Sequence, residues 1–162
     1  MALARNKPAG RTLTLERIFD APIDLVWRCW TEQEHLEKWS RPRGFTIPQS
    51  CGDLRPGGRW HVTMRSADGH DLGLGGEYRE IVPMQRLVMT HVWDAEGGRP
   101  GPQTLVTVSF EDLGGRTKVT LVQSGFDSEE SRKGDEGGWS ECFDILAEHL
   151  AAPRSGSSRS AW

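Results

Sequence analysis

The side chains of this sequence able to do chemistry are few and widely spaced. Five histidines (His35, His61, His70, His91, His149) and three cysteines (Cys29, Cys51, Cys142) are the candidate metal ligands and proton carriers. None falls at the short spacing of a zinc-binding pair, so the spacing predicts no metal site, and no other signature implies a cofactor. An odd number of distant cysteines fits unpaired thiols in a reducing compartment. A covalent mechanism needs a nucleophile, a base and an orienting group brought together, and the sequence assembles no such triad, so no catalytic residue is assigned. Gly73-Leu74-Gly75-Gly76 has the look of a phosphate loop but lacks its Lys and Ser/Thr and runs into a strand. It reads instead as a bulged or closely approached strand.

Three polar side chains stand out because their neighbours are apolar. His91 lies between Met89 and Trp93 on one strand face, Gln123 shares a face with Val119 and Leu121, and Tyr78 offers a phenol. A buried polar group without a partner is costly, so such groups on an inward face are natural handles for a ligand. The large apolar side chains at inward positions are Trp60, Val62, Met64, Val108 and Phe110 on strands, and Trp139 and Phe143 on a helix. Together these ten residues form the expected lining of an apolar ligand cavity.

The elements that must position them follow from periodicity. Thr12 to Phe19 alternates in part and reads as a first strand. Pro22 then opens a helix to about Trp30, and Thr31-Glu32-Gln33-Glu34 resembles a capping box for a second short helix carrying Leu36 and Trp39. Pro42 and Gly44 end that pair. Strands are predicted near Phe45 to Asp53, Arg59 to Arg65, Leu72 to Val82, Gln85 to Trp93, Thr104 to Glu111 and Thr117 to Ser124, with a loop over Glu96 to Pro102. The last segment, Gly134 to Ala152, places Trp139, Cys142, Phe143, Leu146 and Leu150 on one helical face, with Glu141, Asp144 and Glu148 on the other. Asp135 and Glu136 suit its N-terminus and Pro153 its stop, while Asp127 to Glu130 reads as the start of a separate short helix. Meandering strands imply an antiparallel sheet, and the long helix covers its apolar face.

Length and charge narrow the classes further. A chain of 162 residues fits one domain able to bury a core without staples. Formal net charge is -3, from 20 basic and 23 acidic residues of interspersed sign, which argues against nucleic acid as a partner. No apolar run approaches the ~20 residues of a membrane span, and the first residues lack a signal-peptide core. A cytoplasmic protein is expected, with a loose arm over 1–11, one domain over 12–152 and a disordered tail over 153–162.

Several residue groups resemble one family. They are Asp20-Ala21-Pro22 leading into Val26-Trp27, Trp39 with Pro42, Gly57-Gly58-Arg59-Trp60, Gly76-Glu77-Tyr78 running into Glu80-Ile81-Val82-Pro83, Arg86-Leu87, and Gly137-Gly138-Trp139. The chain from about Thr12 to Ala152 resembles the Hsp90 ATPase activator homologue branch of the START-like (Bet v 1-like, polyketide cyclase-like) superfamily. The resemblance implies an α+β helix-grip fold: a curved antiparallel sheet of about seven strands around a long C-terminal helix, with two short helices after strand 1. It also implies a mainly apolar internal cavity. The expected function is binding of a small hydrophobic or aromatic ligand, lipid-like or polyketide-like. The alternatives are a cyclase, dehydrase or hydrolase using the same cavity through His91, Tyr78 or Gln123, and an Hsp90-type co-chaperone. The fold starts near Thr12, without the additional N-terminal domain of those activators, which argues against a chaperone partner. Edge strands or an exposed tryptophan leave a homodimer open.

Overall fold

The structure is a computed structural model that describes residues 12–94 and 102–151. The arm over 1–11, the tail over 153–162 and most of the Glu96–Pro102 loop lie outside the described residues. Strand β1 (Thr12–Phe19) leads into helices α1 (Ile23–Thr31) and α2 (Gln33–Trp39). Six strands follow: β2 (Thr46–Gly52), β3 (Arg59–Arg65), β4 (Asp71–Val82), β5 (Arg86–Trp93), β6 (Thr104–Asp112) and β7 (Thr117–Ser124). Helix α3 (Glu129–Ala151) ends the described chain. The sheet is antiparallel throughout, in the order β1-β7-β6-β5-β4-β3-β2, so the first strand closes the meander beside the last.

Period-two burial fixes which face is inside. Thr104, Val106, Val108 and Phe110 of β6 are buried, as are Thr117, Val119, Leu121 and Gln123 of β7, each alternating with more exposed residues. The register pairs Val106 with Gln123, Val108 with Leu121 and Phe110 with Val119, so one inner face runs unbroken across both strands. The glycines of β4 are explained by crowding. A Cβ at Gly76 would run into the carbonyl oxygen of Thr90, and one at Gly75 would sit 2.8 Å from that of Trp60. Only glycine lets the backbones approach this closely, and β4 shifts register between Tyr78 and Glu80.

Two helix boundaries differ from the sequence expectation. Thr31 does not cap α2: it is the last residue of α1, and its hydroxyl donates back to the Trp27 carbonyl at 2.9 Å. Glu32 takes the cap position without a side-chain hydrogen bond. Helix α3 starts at Glu129, six residues before Asp135, and absorbs the short helix expected over Asp127–Glu130. Its first turn is secured by Ser128, whose Oγ accepts from the Ser131 N–H at 3.1 Å, and by Arg132 bridging Glu129 and Glu136. These local supports carry the helix through Gly134, Gly137 and Gly138.

The core gathers where the three helices meet the sheet. Trp30 of α1 is 3% exposed and touches Trp39, Phe110, Trp139 and Phe143, with ring centroids between 4.6 and 6.2 Å apart. Two buried hydrogen bonds tie the helices in place: Trp39 Nε1 donates to the Cys29 carbonyl and Thr117 Oγ1 to the Ala21 carbonyl, each at 2.8 Å. Leu146, Leu150 and Phe143 bury the C-terminal half of α3 against this cluster.

Candidate functional site

A cavity of about 290 Å³ lies between the inner face of β3, β4 and β5, the start of α3, and α2. Its sheet wall carries Trp60, Val62 and Met64 from β3, Leu74 and Tyr78 from β4, and Met89, His91 and Trp93 from β5. The alternation of β3 is what aims Trp60, Val62 and Met64 to one side. The helix wall is Gly134, Asp135, Gly138, Trp139 and Cys142, one turn after another along α3. Gly134 and Gly138 have nothing within 4 Å of where a Cβ would stand, so the missing side chains are themselves part of the space. At the mouth, Gln33 Nε2 donates to Ser50 Oγ at 3.0 Å and Ser50 Oγ donates to Glu37 Oε2 at 2.7 Å, linking α2 to β2.

One end of the cavity is polar. Gln123 is fully buried at the centre of a network whose orientation follows from the donor-only indole: Trp139 Nε1 donates to Gln123 Oε1 at 2.8 Å. The Gln123 amide nitrogen therefore faces Thr104 Oγ1 at 2.8 Å, Asp135 Oδ2 at 3.1 Å and His91 Nδ1 at 3.4 Å. The amide's two hydrogens go to the nearer oxygens of Thr104 and Asp135, and His91 Nδ1 stands at the edge of hydrogen-bond reach. Burial pushes His91 down to about 4, so it is uncharged at neutral pH. Trp60, Trp93 and Trp139 surround it at centroid distances near 6 Å. Burial raises the Asp135 carboxyl, opposed by hydrogen bonds from Gln123 and Trp93, and raises the Tyr78 phenol. Cys142 is pushed up to about 12 by burial and the nearby Glu141, which keeps it a thiol rather than a nucleophilic thiolate.

Of the ten residues expected to line the cavity, Trp60, Val62, Met64, Tyr78, His91 and Trp139 do so. Val108, Phe110, Gln123 and Phe143 do not. Val108 and Phe110 are buried in the core, and Phe143 packs edge-on against Phe19, Trp30 and Trp139. Gln123 stands behind the wall, its amide engaged by protein partners, and so acts as a brace for Trp139 and Asp135. Asp135 was hidden as a presumed helix N-terminal acid. Its position four residues before Trp139 puts both on one face, which is the signal that reveals it. The histidines and cysteines are also less scattered than their numbering: Cys29, His35 and His149 have donor atoms within 4.8 Å of one another. This corrects the expectation, drawn from sequence spacing, that no metal-ligand grouping exists.

A curved antiparallel sheet gripping a long C-terminal helix defines a helix-grip domain, a fold that suggests a ligand-binding or cyclase-like protein. Within that class, residues 20–151 match the family of activator of Hsp90 ATPase homolog 1-like proteins, and the chain belongs to it. Solved structures share the fold along nearly their whole length. Protein CV1439 from Chromobacterium violaceum is 26% identical, with 88% of this chain and 99% of that one covered at a TM-score of 0.80. Protein NE0264 from Nitrosomonas europaea is 28% identical, with 88% and 96% covered at 0.74. The AHSA1 protein SPO3351 from Silicibacter pomeroyi is 25% identical, with 86% and 97% covered at 0.78. No curated protein matches the chain. Among the described residues, no helix is long and apolar enough to cross a membrane.

Proposed function

We propose that this protein binds a small, flat, mainly apolar ligand, aromatic or polyketide-like, with a hydrogen-bonding group at one end. The observation that carries the reading is the cavity itself: the half-buried Gly138 of α3 leaves open space opposite a sheet face of Trp60, Met64 and Tyr78. Glycine inside a helix costs about 0.5–1 kcal/mol relative to alanine, and at Gly138 that cost leaves room at the wall. A volume of about 290 Å³ falls at the lower edge of the ~300–1,000 Å³ typical of small-molecule sites. That favours a ligand of one or two rings over a long-chain lipid. The polar end of the ligand meets Asp135, His91 and Tyr78, and the indoles supply flat apolar faces. The test is thermal unfolding of the purified protein against a panel of one- and two-ring phenols, ketones and carboxylates. A ligand present at ~100 times its Kd stabilises by about 2.7 kcal/mol, a shift easily seen. No shift across the panel, together with no displacement of 1-anilinonaphthalene-8-sulfonate, would sink the proposal.

A second reading is favoured by one observation, the half-buried Asp135 carboxyl with its raised pKa inside an apolar cavity. Such a group is suited to proton transfer in a cyclase- or dehydrase-like step, and His91, held neutral by burial, would serve as a hydrogen-bonding partner for the ligand. Turnover of a bound ligand that is lost in Asp135→Asn while binding persists would establish it; a bound ligand recovered unchanged by both proteins would exclude it.

A further inference from the structure

Outside the cavity, the three helices bring Cys29 of α1, His35 of α2 and His149 of α3 to one corner of the molecule. We propose that Cys29 Sγ, His35 Nδ1 and His149 Nε2 form a site for a borderline-soft divalent cation of the zinc type. The donor spacing carries the argument. His35 Nδ1 lies 3.7 Å from Cys29 Sγ and 3.0 Å from His149 Nε2, and all three donors fall within 4.8 Å of one another. Zinc bonds of about 2.0–2.1 Å to nitrogen and about 2.3 Å to sulfur at tetrahedral angles require N···N near ~3.3 Å and S···N near ~3.6 Å. The two separations to His35 are within a few tenths of an ångström of those values, and the third, between Cys29 and His149, is within 4.8 Å.

Three further features fit. The carboxylate of Glu32 sits 3.9 Å from His35 Nε2, the ring nitrogen away from the proposed metal; this is longer than a hydrogen bond, and its charge favours a proton on that nitrogen. The donors sit on rigid supports: the hydrogen bond from Trp39 to the Cys29 carbonyl locks α1 against α2, and Leu146 and Leu150 anchor the last turns of α3. Cys29 is fully buried while His35 and His149 are only partly so, giving a cation a route from the histidine side. A thiol and two imidazoles with no oxygen donor discriminate against calcium and magnesium.

Binding is balanced by one proton. The Cys29 thiol gives its proton to solvent and the thiolate bonds the metal; the proton shared between His35 Nδ1 and His149 Nε2 moves to the distal nitrogen of the ring that held it. The alternative is a purely structural chain of hydrogen bonds, and titration of the metal-free full chain with Co²⁺, then Zn²⁺, separates the two. The expected result is one Co²⁺ per chain with a thiolate-to-cobalt charge-transfer band that Zn²⁺ abolishes. Affinity should fall at least about 100-fold in Cys29→Ser and in His149→Gln and hold in Cys51→Ser, whose exposed thiol is not part of the donor cluster. His149→Gln keeps the test informative if the buried Cys29→Ser fails to fold. Absence of the band, its survival in His149→Gln, or its loss in Cys51→Ser would overturn the proposal.

Discussion

Filling the helix wall of the cavity separates its use from its packing. At Gly138 an added Cβ meets no atom within 4 Å, and no positive φ constrains the residue. Gly138→Ala therefore gains helix propensity without a clash, a stabilisation of about 0.5–1 kcal/mol. At roughly 2–4 °C per kcal/mol for a domain of this size, Tm should rise by about 1–4 °C. Gly138→Leu extends the same trajectory into a space bounded by Trp60, Tyr78 and Trp139, where burying a leucine side chain is worth about 1.5–3 kcal/mol if it fits a rotamer. Its stability should equal or exceed that of the parent while ligand binding is lost. Calorimetric or fluorescence titration with the best ligand of the panel, alongside denaturation in urea, gives both numbers. Two results refute the reasoning. A loss of 1 kcal/mol or more in Gly138→Ala means that the wall is closely packed. Affinity within about twofold of the parent in Gly138→Leu means that the ligand sits elsewhere.

Leu146 is fully buried away from the cavity, so Leu146→Ala should cost about 2–5 kcal/mol in urea denaturation with little change in ligand affinity among molecules still folded. His91 falls from its ordinary 6.5 to about 4 because burial disfavours its charged form. The unfolded chain therefore binds the proton first: the contribution is intact above pH 6.5, declines toward pH 4, and totals about 3 kcal/mol, so the parent should lose stability over that window more steeply than His91→Gln. Ser50→Ala removes the bridge between Gln33 and Glu37 at the mouth, which should raise ligand association and dissociation rates together in stopped-flow while stability changes by less than about 1 kcal/mol.

Strands were the most legible part of the sequence, because half-buried strands write their inner face in every second residue. Arg59–Arg65 and Thr117–Ser124 have the limits that alternation predicts. The start of α3 was not legible, since three glycines between 134 and 138 imitate a break. What overrides them is the Ser128 cap and the Glu129–Arg132–Glu136 ladder, read only when the segment is taken as one helix. Within the site, strand parity placed Trp60, Val62 and Met64, but it could not tell cavity from core at Val108 and Phe110, which obey the same alternation three strands further round. Phe143 and Trp139 differ by a single turn of helix, yet that turn separates closed packing from open space. The Cys29, His35 and His149 cluster had no local signature at all, because His35 and His149 are 114 residues apart and meet only when α3 closes over the helix pair.

The strut from Trp39 Nε1 to the Cys29 carbonyl has a mechanical meaning. It makes α1 and α2 one block, and Ala21, held by the Thr117 hydroxyl, fixes the near end of that block to the sheet. Beyond the local side-chain bridge at Ser50, the expected wider opening of the mouth is collective tilting of this block about Ala21 and the turn at Gly44, whose φ is +84°. Motions of that kind run on microseconds to milliseconds rather than nanoseconds, so a ligand's residence time is set by the scaffold as much as by its own contacts. Relaxation-dispersion signals shared by α1 and α2, and quenched together on binding, are the signature to look for.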